Sequence, residues 1–206
     1  MELRRTLAIL LILTTTLSVS CSNPEVDSFL IGDDNCKIPC WNLITPGLTT
    51  RTDAITIIEK LQDKENYSFT GSDIFFKYNT KRVRVHLNDA NQIVDMIDFE
   101  LDNTTLGQIV DLFGEPKSLS FQLDSGGCTI LVYYPETGAY FMGQCNSNLS
   151  GNYWKVSKNT KIIRGFLTKP DLEEERLSVL LFGDMSTRMQ NNIVPWRGYG
   201  PYSAQP

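Results

Sequence analysis

The sequence predicts an α+β fold: tandem units of one helix plus an antiparallel β-meander, with the helices packed on one face of the sheet. Three observations predict it. An apolar stripe with helical spacing, formed by Ala54, Ile57, Ile58 and Leu61, precedes several short alternating runs. A second helix start, at Thr105, again precedes alternating runs. Turn residues, mainly Asn, Gly and Pro, separate these runs from one another.

The first unit spans residues 36–101. Its helix begins after Thr49 or Thr50, and either hydroxyl is able to cap the helix N-terminus. Asp53 places a negative charge near that N-terminus, where the helix dipole favours it. A polar loop follows, and then three strands separated by Asn-rich turns, at 73–78, 82–87 and 92–99.

The second unit spans residues 102–168. Thr105 and Gln108 have the spacing of a capping box, and the helix that they start ends at Gly114. Alternating runs then predict strands at 118–123, 128–134, 139–145, 153–156 and 161–167. The remaining segment, 169–206, combines a predicted closing helix at 171–182 with a tail rich in aromatic residues.

The first 21 residues are typical of an exported protein. Arg4 and Arg5 precede an apolar run at 7–13, which is shorter than the roughly 20 residues that a membrane-spanning helix needs. Residues 17–21 (LSVSC) resemble the lipobox of bacterial prolipoproteins, although Leu17 lies one place further from the cysteine than is usual. The resemblance implies a signal peptide at 1–20, lipidation of Cys21 and a tether at 21–35. The alternatives are a plain secretory signal and a permanent transmembrane anchor.

The cysteine count agrees with an exported chain. The chain has five cysteines, and lipidation of Cys21 leaves an even set of four. If a hairpin places Tyr134 opposite Ala139, then Cys128 faces Cys145, and Cys36 pairs with Cys40 by exclusion. The alternatives for these cysteines are a zinc site and redox chemistry, although redox motifs usually separate their cysteines by two residues.

The body of the chain also resembles known lipoproteins. The helix starts at 47–50 and 104–105 and the helix end at 112–116 (LFGEP) are similar to the motif of BamE/SmpA-type outer-membrane assembly lipoproteins and the related β-lactamase-inhibitor-protein fold. The segment 36–47 is similar to a group of uncharacterised lipoproteins with a PCW opening. The resemblance covers residues 36–168. It implies a protein that recognises another protein, and it implies no active site.

Composition disfavours several classes of function. The 19 basic and 24 acidic side chains give a net charge of -5, so general nucleic-acid binding is not expected. The single histidine, His86, leaves few metal sites or histidine-activated nucleophiles open to the chain. The sequence contains no GxSxG, HExxH or Walker pattern. We therefore predict no catalytic residues, no cofactor and no metal.

Two groups of residues are candidates for partner binding. Strand alternation puts Arg82, Arg84 and His86 on one sheet face, as a cationic strip able to dock a carboxylate or sulfate of a glycan or partner. The alternative is an ordinary solvated strand face. The second group lies in the tail, where aromatic residues either meet a partner or fold back over the sheet: Trp196, Tyr199 and Tyr202.

We therefore predict a lipid-anchored, extracytoplasmic protein of the cell membrane or outer envelope that acts as a non-enzymatic protein–protein interaction module. Its predicted partners are the membrane, through the lipid anchor, and an envelope protein, with no nucleic acid. The alternative is a small-ligand or glycan-binding receptor component, or an envelope enzyme that uses carboxylates. A scaffold would expose an apolar or aromatic patch without a deep pocket, whereas a ligand-binding protein would enclose acidic and aromatic groups.

Overall fold

The fold is known from a computed structural model. It describes residue 30 and residues 36–90, 92–124, 127–147, 153–172 and 193–203. The predicted signal peptide, the lipidation site Cys21 and most of the predicted closing helix lie outside the described residues.

The described chain is largely β. Its helices are α1, Arg51–Lys60, and α2, Leu106–Phe113. The strands, all antiparallel to their neighbours, are β1 (Lys64–Thr70), β2 (Asp73–Tyr78), β3 (Lys81–Leu87), β4 (Val94–Thr105), β5 (Ser118–Asp124), β6 (Gly127–Tyr134), β7 (Ala139–Ser147), β8 (Tyr153–Val156), β9 (Lys161–Thr168), β10 (Ile193–Pro195) and β11 (Gly200–Ser203).

The predicted α+β class, with helices packed on one face of the sheet, is wrong. The strands form one eleven-stranded sheet within the described residues, and α1 and α2 are only ten and eight residues long. Three segments that the sequence assigned to loop or tail are strands, because β1 pairs with β2, β10 pairs with β5, and β11 pairs with β8. None of these strands has a regular apolar alternation, so their structure depends on pairing with other strands.

The two helix starts are confirmed. Thr50 caps α1, and its side-chain oxygen accepts the backbone N–H of Asp53 at 3.2 Å. Thr105 and Gln108 form a complete capping box at the start of α2, with the Gln108 side chain accepting the Thr105 backbone N–H at 2.8 Å. Local side-chain chemistry therefore fixes both helix starts.

The sheet follows the strand order β1-β2-β3-β4-β9-β7-β6-β5-β10, with β8 paired to β7 and to β11. Strand β4 crosses residue 101, so the two predicted units share this sheet. The strands at the two ends of this order, β1 and β10, are irregular. Strand β1 has a bulge between Glu65 and Ser68, where Asn66 has a positive φ of 50°, and β10 is three residues long and ends in Pro195.

Apolar side chains are buried on both faces of the sheet. The main core includes Val85, Phe99 and Phe141, together with Ala54 and Ile58 of α1. Leu30, from the predicted tether, is only 2% exposed and belongs to this core. A smaller second core lies on the opposite face of the central strands and contains Met96, Leu131, Tyr133, Tyr140, Phe166 and Leu172.

Both predicted disulfides are present. Tyr134 lies opposite Ala139, and Cys128 therefore lies opposite Cys145 on neighbouring strands, with a Cα–Cα distance of 5.0 Å. Gly138 allows the tight connection between β6 and β7, because it has a φ of 68° and a Cβ there would meet a backbone oxygen. The second disulfide joins Cys36 to Cys40 within a short turn.

Candidate functional site

One face of strands β2, β3, β4 and β9 presents charged side chains to solvent. The predicted alternation on β3 is confirmed, because Val83, Val85 and Leu87 are buried while the residues between them are not. Cross-strand register places the other charged residues beside this strip. We call this surface the charged face, and it consists of Asp73, Phe75, Lys77, Arg82, Arg84, His86, Asp98, Glu100 and Arg164.

Asp73 holds two members of the predicted cationic strip. Its Oδ1 atom lies 2.8 Å from Nδ1 of His86 and 3.2 Å from Nε of Arg84. The histidine contact has hydrogen-bond geometry, whereas the Arg84 Nε is buried and has no hydrogen-bond partner. Arg84 is therefore paired electrostatically, but its Nε–H donor is not satisfied.

Arg82, the third member of the strip, extends into solvent. Its Nε lies 2.9 Å from Oε1 of Glu100, and the side chains are 78% and 39% exposed, respectively. Exposed ion pairs of this kind contribute about 0–1 kcal/mol, because water screens the attraction and long side chains lose entropy on pairing. Both groups therefore rearrange at low cost when another charged group approaches.

The most buried charge on the face is Asp98. Its carboxylate accepts two hydrogen bonds from Arg164, with Nε of the arginine 3.1 Å from Oδ1. Burial raises the pKa of Asp98, and the positive charges of Arg164 and Arg84 oppose that increase. The Arg164 guanidinium also lies 5.5 Å from the centre of the Phe166 ring. These contacts hold Arg164 firmly at the border between the charged face and the second core.

The charged face contains a shallow cleft of about 300 Å³. Three arginines and two carboxylates line it, and Phe75, which is 37% exposed, forms an apolar wall. Its lining residues are Phe75, Arg82, Val83, Arg84, Asp98, Glu100 and Arg164. This volume is at the lower end of the range of drug-sized pockets, about 300–1,000 Å³.

A second cleft, of about 240 Å³, lies at the end of α2. Phe113, Lys117 and Tyr134 are among the residues that line it. The Tyr134 hydroxyl donates a hydrogen bond to the Gly114 carbonyl oxygen at 2.8 Å, and burial raises the pKa of Tyr134. Gly114 is the residue that ends α2, so this bond ties the C-terminal end of the helix to β6.

The tail aromatics pack against the sheet. Tyr202 is 1% exposed; its hydroxyl donates to the Gly198 carbonyl oxygen at 2.8 Å and accepts the Arg197 backbone N–H at 3.0 Å. Trp196 and Tyr199 are partly buried against the main core and contact each other edge to face at 5.3 Å. These three residues therefore fold back over the sheet, which is one of the two alternatives that the sequence left open for the tail.

Sequence reasoning missed the carboxylates of the charged face and the position of β9 beside β4. Arg84 lies opposite Asp98 across the β3–β4 hairpin, and the Asn-rich turn at 88–91 was a local signal for that pairing. Glu100 lies opposite Arg164 through the long-range pairing of β4 with β9. No local pattern specifies that pairing, because more than 60 residues separate the two strands' partners.

In the part of the chain that the structure describes, no helix combines the length and apolar character needed to cross a membrane. The resemblance to bacterial prolipoproteins, to BamE/SmpA-type and inhibitor-protein-like lipoproteins, and to PCW lipoproteins stays a prediction from sequence motifs. The chain matches no known protein family, no curated protein and no solved structure.

Proposed function

We propose that the protein is a lipid-anchored, extracytoplasmic envelope protein that binds another protein through the charged face. The activity proposed is binding and not catalysis. The observation that supports it most is the combination of exposed Phe75 with arginines on one open sheet surface. Aromatic residues and arginine are the side chains that protein–protein interfaces enrich most consistently.

The layout of the sheet supports a binding role for this surface. Across β4, β9 and β7 the same face changes from charged residues to the buried apolar residues of the second core, such as Phe166 and Tyr140. The charged half thus remains open to solvent while a firmly packed region borders it. A rigid sheet that presents open charged groups suits recognition of a protein surface.

Two features support an extracytoplasmic location. The disulfides Cys36–Cys40 and Cys128–Cys145 are typical of oxidising compartments, because cytosolic reductants keep most thiols reduced. The lipobox-like segment at 17–21 supports export with a lipid on Cys21. More than one acyl chain at that cysteine would hold the protein stably at a membrane.

Intact mass measurement of the membrane-extracted protein tests the anchor. We expect a mature mass that begins at Cys21 and includes acyl chains, and we expect the Cys21→Ala variant to lack them. An unmodified cysteine in the wild-type protein would contradict the lipid anchor. This experiment reads covalent structure directly and does not depend on partner binding.

Site-specific photo-crosslinking in cells tests the binding surface. A photoreactive amino acid replaces Phe75 on the charged face, and in a matched control it replaces Tyr153, which is 54% exposed on β8. We expect position 75, and not position 153, to give a crosslinked product containing one reproducible protein, identified by mass spectrometry. Equal products from both positions, or none from position 75, would contradict the proposed surface.

A further inference from the structure

We infer that the cleft on the charged face binds the C-terminal carboxylate of a partner protein whose last residue is apolar. This inference rests on the proposed function, because it names the chemistry by which the charged face recognises a protein. Arg84 is the group that receives the carboxylate, Arg82 and Arg164 flank it, and Phe75 contacts the apolar side chain.

Arg84 has donors to offer. A guanidinium carries five N–H donors, and the Arg84 side chain makes no hydrogen bond among the described residues. Its nearest acidic atom, Asp73 Oδ1, already accepts a hydrogen bond from Nδ1 of His86, and the Arg84 side chain is 30% exposed within the cleft. The terminal nitrogens are therefore available for the two-point bond that arginine forms with carboxylates.

Arg164, on the same surface, already forms a two-point bond of this kind with a carboxylate. Arg164 binds Asp98 through two nitrogens, and this pairing occupies both the arginine and the buried carboxylate. Arg84 has no such partner. Over the whole charged face, four basic side chains stand against three carboxylates, Asp73 included, which leaves one excess positive charge, although the whole chain has a net charge of -5. An incoming carboxylate therefore neutralises this excess positive charge.

Phe75 and the size of the cleft select a terminal residue. Phe75 lies directly opposite Arg84 on the adjacent strand, so an apolar surface and a guanidinium stand side by side. In a C-terminal residue the carboxylate and the side chain are attached to the same Cα, which matches that spacing. A cleft of about 300 Å³ holds a short terminal group more readily than a folded loop.

Nuclear magnetic resonance of the full-length protein in detergent, with nitrogen-15 in its arginines, provides the test. The probes are N-acetyl-Ala-Phe with a free carboxylate, the same dipeptide as its amide, and N-acetyl-Asp-Phe-amide, which carries an internal carboxylate. We expect the free acid to shift the Arg84 Nε–H resonance and to bind at least about tenfold more tightly than either amide.

Two variants assign the effect. Arg84→Gln is expected to abolish the difference between acid and amide, whereas Arg51→Gln, on α1 outside the cleft, is expected to retain it. Thermal unfolding of each variant verifies that it is folded. Equal binding of acid and amide, or a difference that survives in Arg84→Gln, would overturn the inference. Equal binding of the internal carboxylate would overturn its restriction to chain termini.

The outcome is separable from the proposed function. If crosslinking from position 75 captures a defined partner but the free acid binds no better than the amide, the C-terminal inference fails and the binding role remains. If no partner is captured from position 75 and the acid still binds selectively at Arg84, the proposed protein partner fails and the carboxylate site remains.

Discussion

Asp98 on β4 and Arg164 on β9 form a two-point ion pair across strands whose partners are 66 residues apart in the chain. The Asp98 side chain is 4% exposed and the Arg164 side chain 43% exposed. The pair thus joins the two predicted units at the border of the charged face. Because the carboxylate is the buried member, the two residues differ in what their removal costs.

We expect Arg164→Gln to lower the free energy of unfolding by about 1–3 kcal/mol, because it leaves the buried Asp98 carboxylate with fewer donors. This range is below that for a fully buried pair, since the arginine is partly solvated. Urea denaturation measures the change. Lys161→Gln, at an exposed position on the same strand, is the control, and an equal loss in both variants would contradict a specific role for the pair.

The pH dependence of Asp98 follows from its raised pKa. A carboxyl whose pKa is higher in the folded protein than in the unfolded chain binds more protons when folded, so stability falls as the pH rises through the interval between the two values. That interval begins at the ordinary value of 3.8 and extends upward. We expect wild type to lose stability relative to Asp98→Asn as the pH rises from 3.8, as measured by urea denaturation at several pH values. A constant difference across this interval would show that the pKa is not raised.

The capping box of α2 predicts a local effect. Thr105→Ala removes the hydroxyl that accepts the Gln108 backbone N–H, and we expect a loss of about 1 kcal/mol in the free energy of unfolding. Thr52→Ala is a matched control, because Thr52 is an exposed residue inside α1 and not at its N-cap. Comparable losses in both variants would argue against the cap as the cause.

The two disulfides are expected to differ in their contribution to stability. Cys128 and Cys145 are 17 residues apart, and a bridge of that span stabilises a protein by on the order of 3 kcal/mol. Cys36 and Cys40 are four residues apart and restrict the unfolded chain less. We expect the Cys128→Ser/Cys145→Ser variant to lose more stability in denaturant unfolding than Cys36→Ser/Cys40→Ser. The reverse order would contradict the loop-length argument.

The hydroxyl of Tyr134 provides a fifth prediction. Tyr134→Phe removes the donor to the Gly114 carbonyl oxygen and keeps the ring contact with Phe113, whose centre is 5.5 Å away. We expect a loss of about 1 kcal/mol in urea denaturation. Tyr67→Phe is the control, because the Tyr67 hydroxyl has no hydrogen-bond partner among the described residues, and this variant is expected to lose less stability.

Local patterns predicted local structure well. The capping residues Thr50 and Thr105 located both helix starts, and the turn at Gly138 fixed the register that pairs Cys128 with Cys145. These features depend on residues close together in sequence. Strand β1 was missed because its residues are mostly polar, as in a loop, and it is a strand because β2 supplies its hydrogen-bond partners.

The candidate site was predicted only in part, because part of it depends on local pattern and the rest on pairing between distant strands. Alternation alone placed Arg82, Arg84 and His86 on one face. The carboxylates that hold them come from neighbouring strands, and Arg164 comes from β9, whose pairing with β4 has no local signal. The cleft depends on that long-range pairing, so the sequence predicted only the side of the cleft that β3 contributes.

The irregular edge strands β1 and β10 disfavour edge-to-edge association between copies of the protein. An open sheet grows into a fibre only if a further strand, from another copy, finds a regular row of free backbone donors and acceptors. The bulge after Glu65 interrupts that row on β1, and β10 is too short, with Pro195 contributing no donor. Copies of the protein at high concentration would therefore remain separate molecules at both ends of this order, although the described strands form a wide sheet.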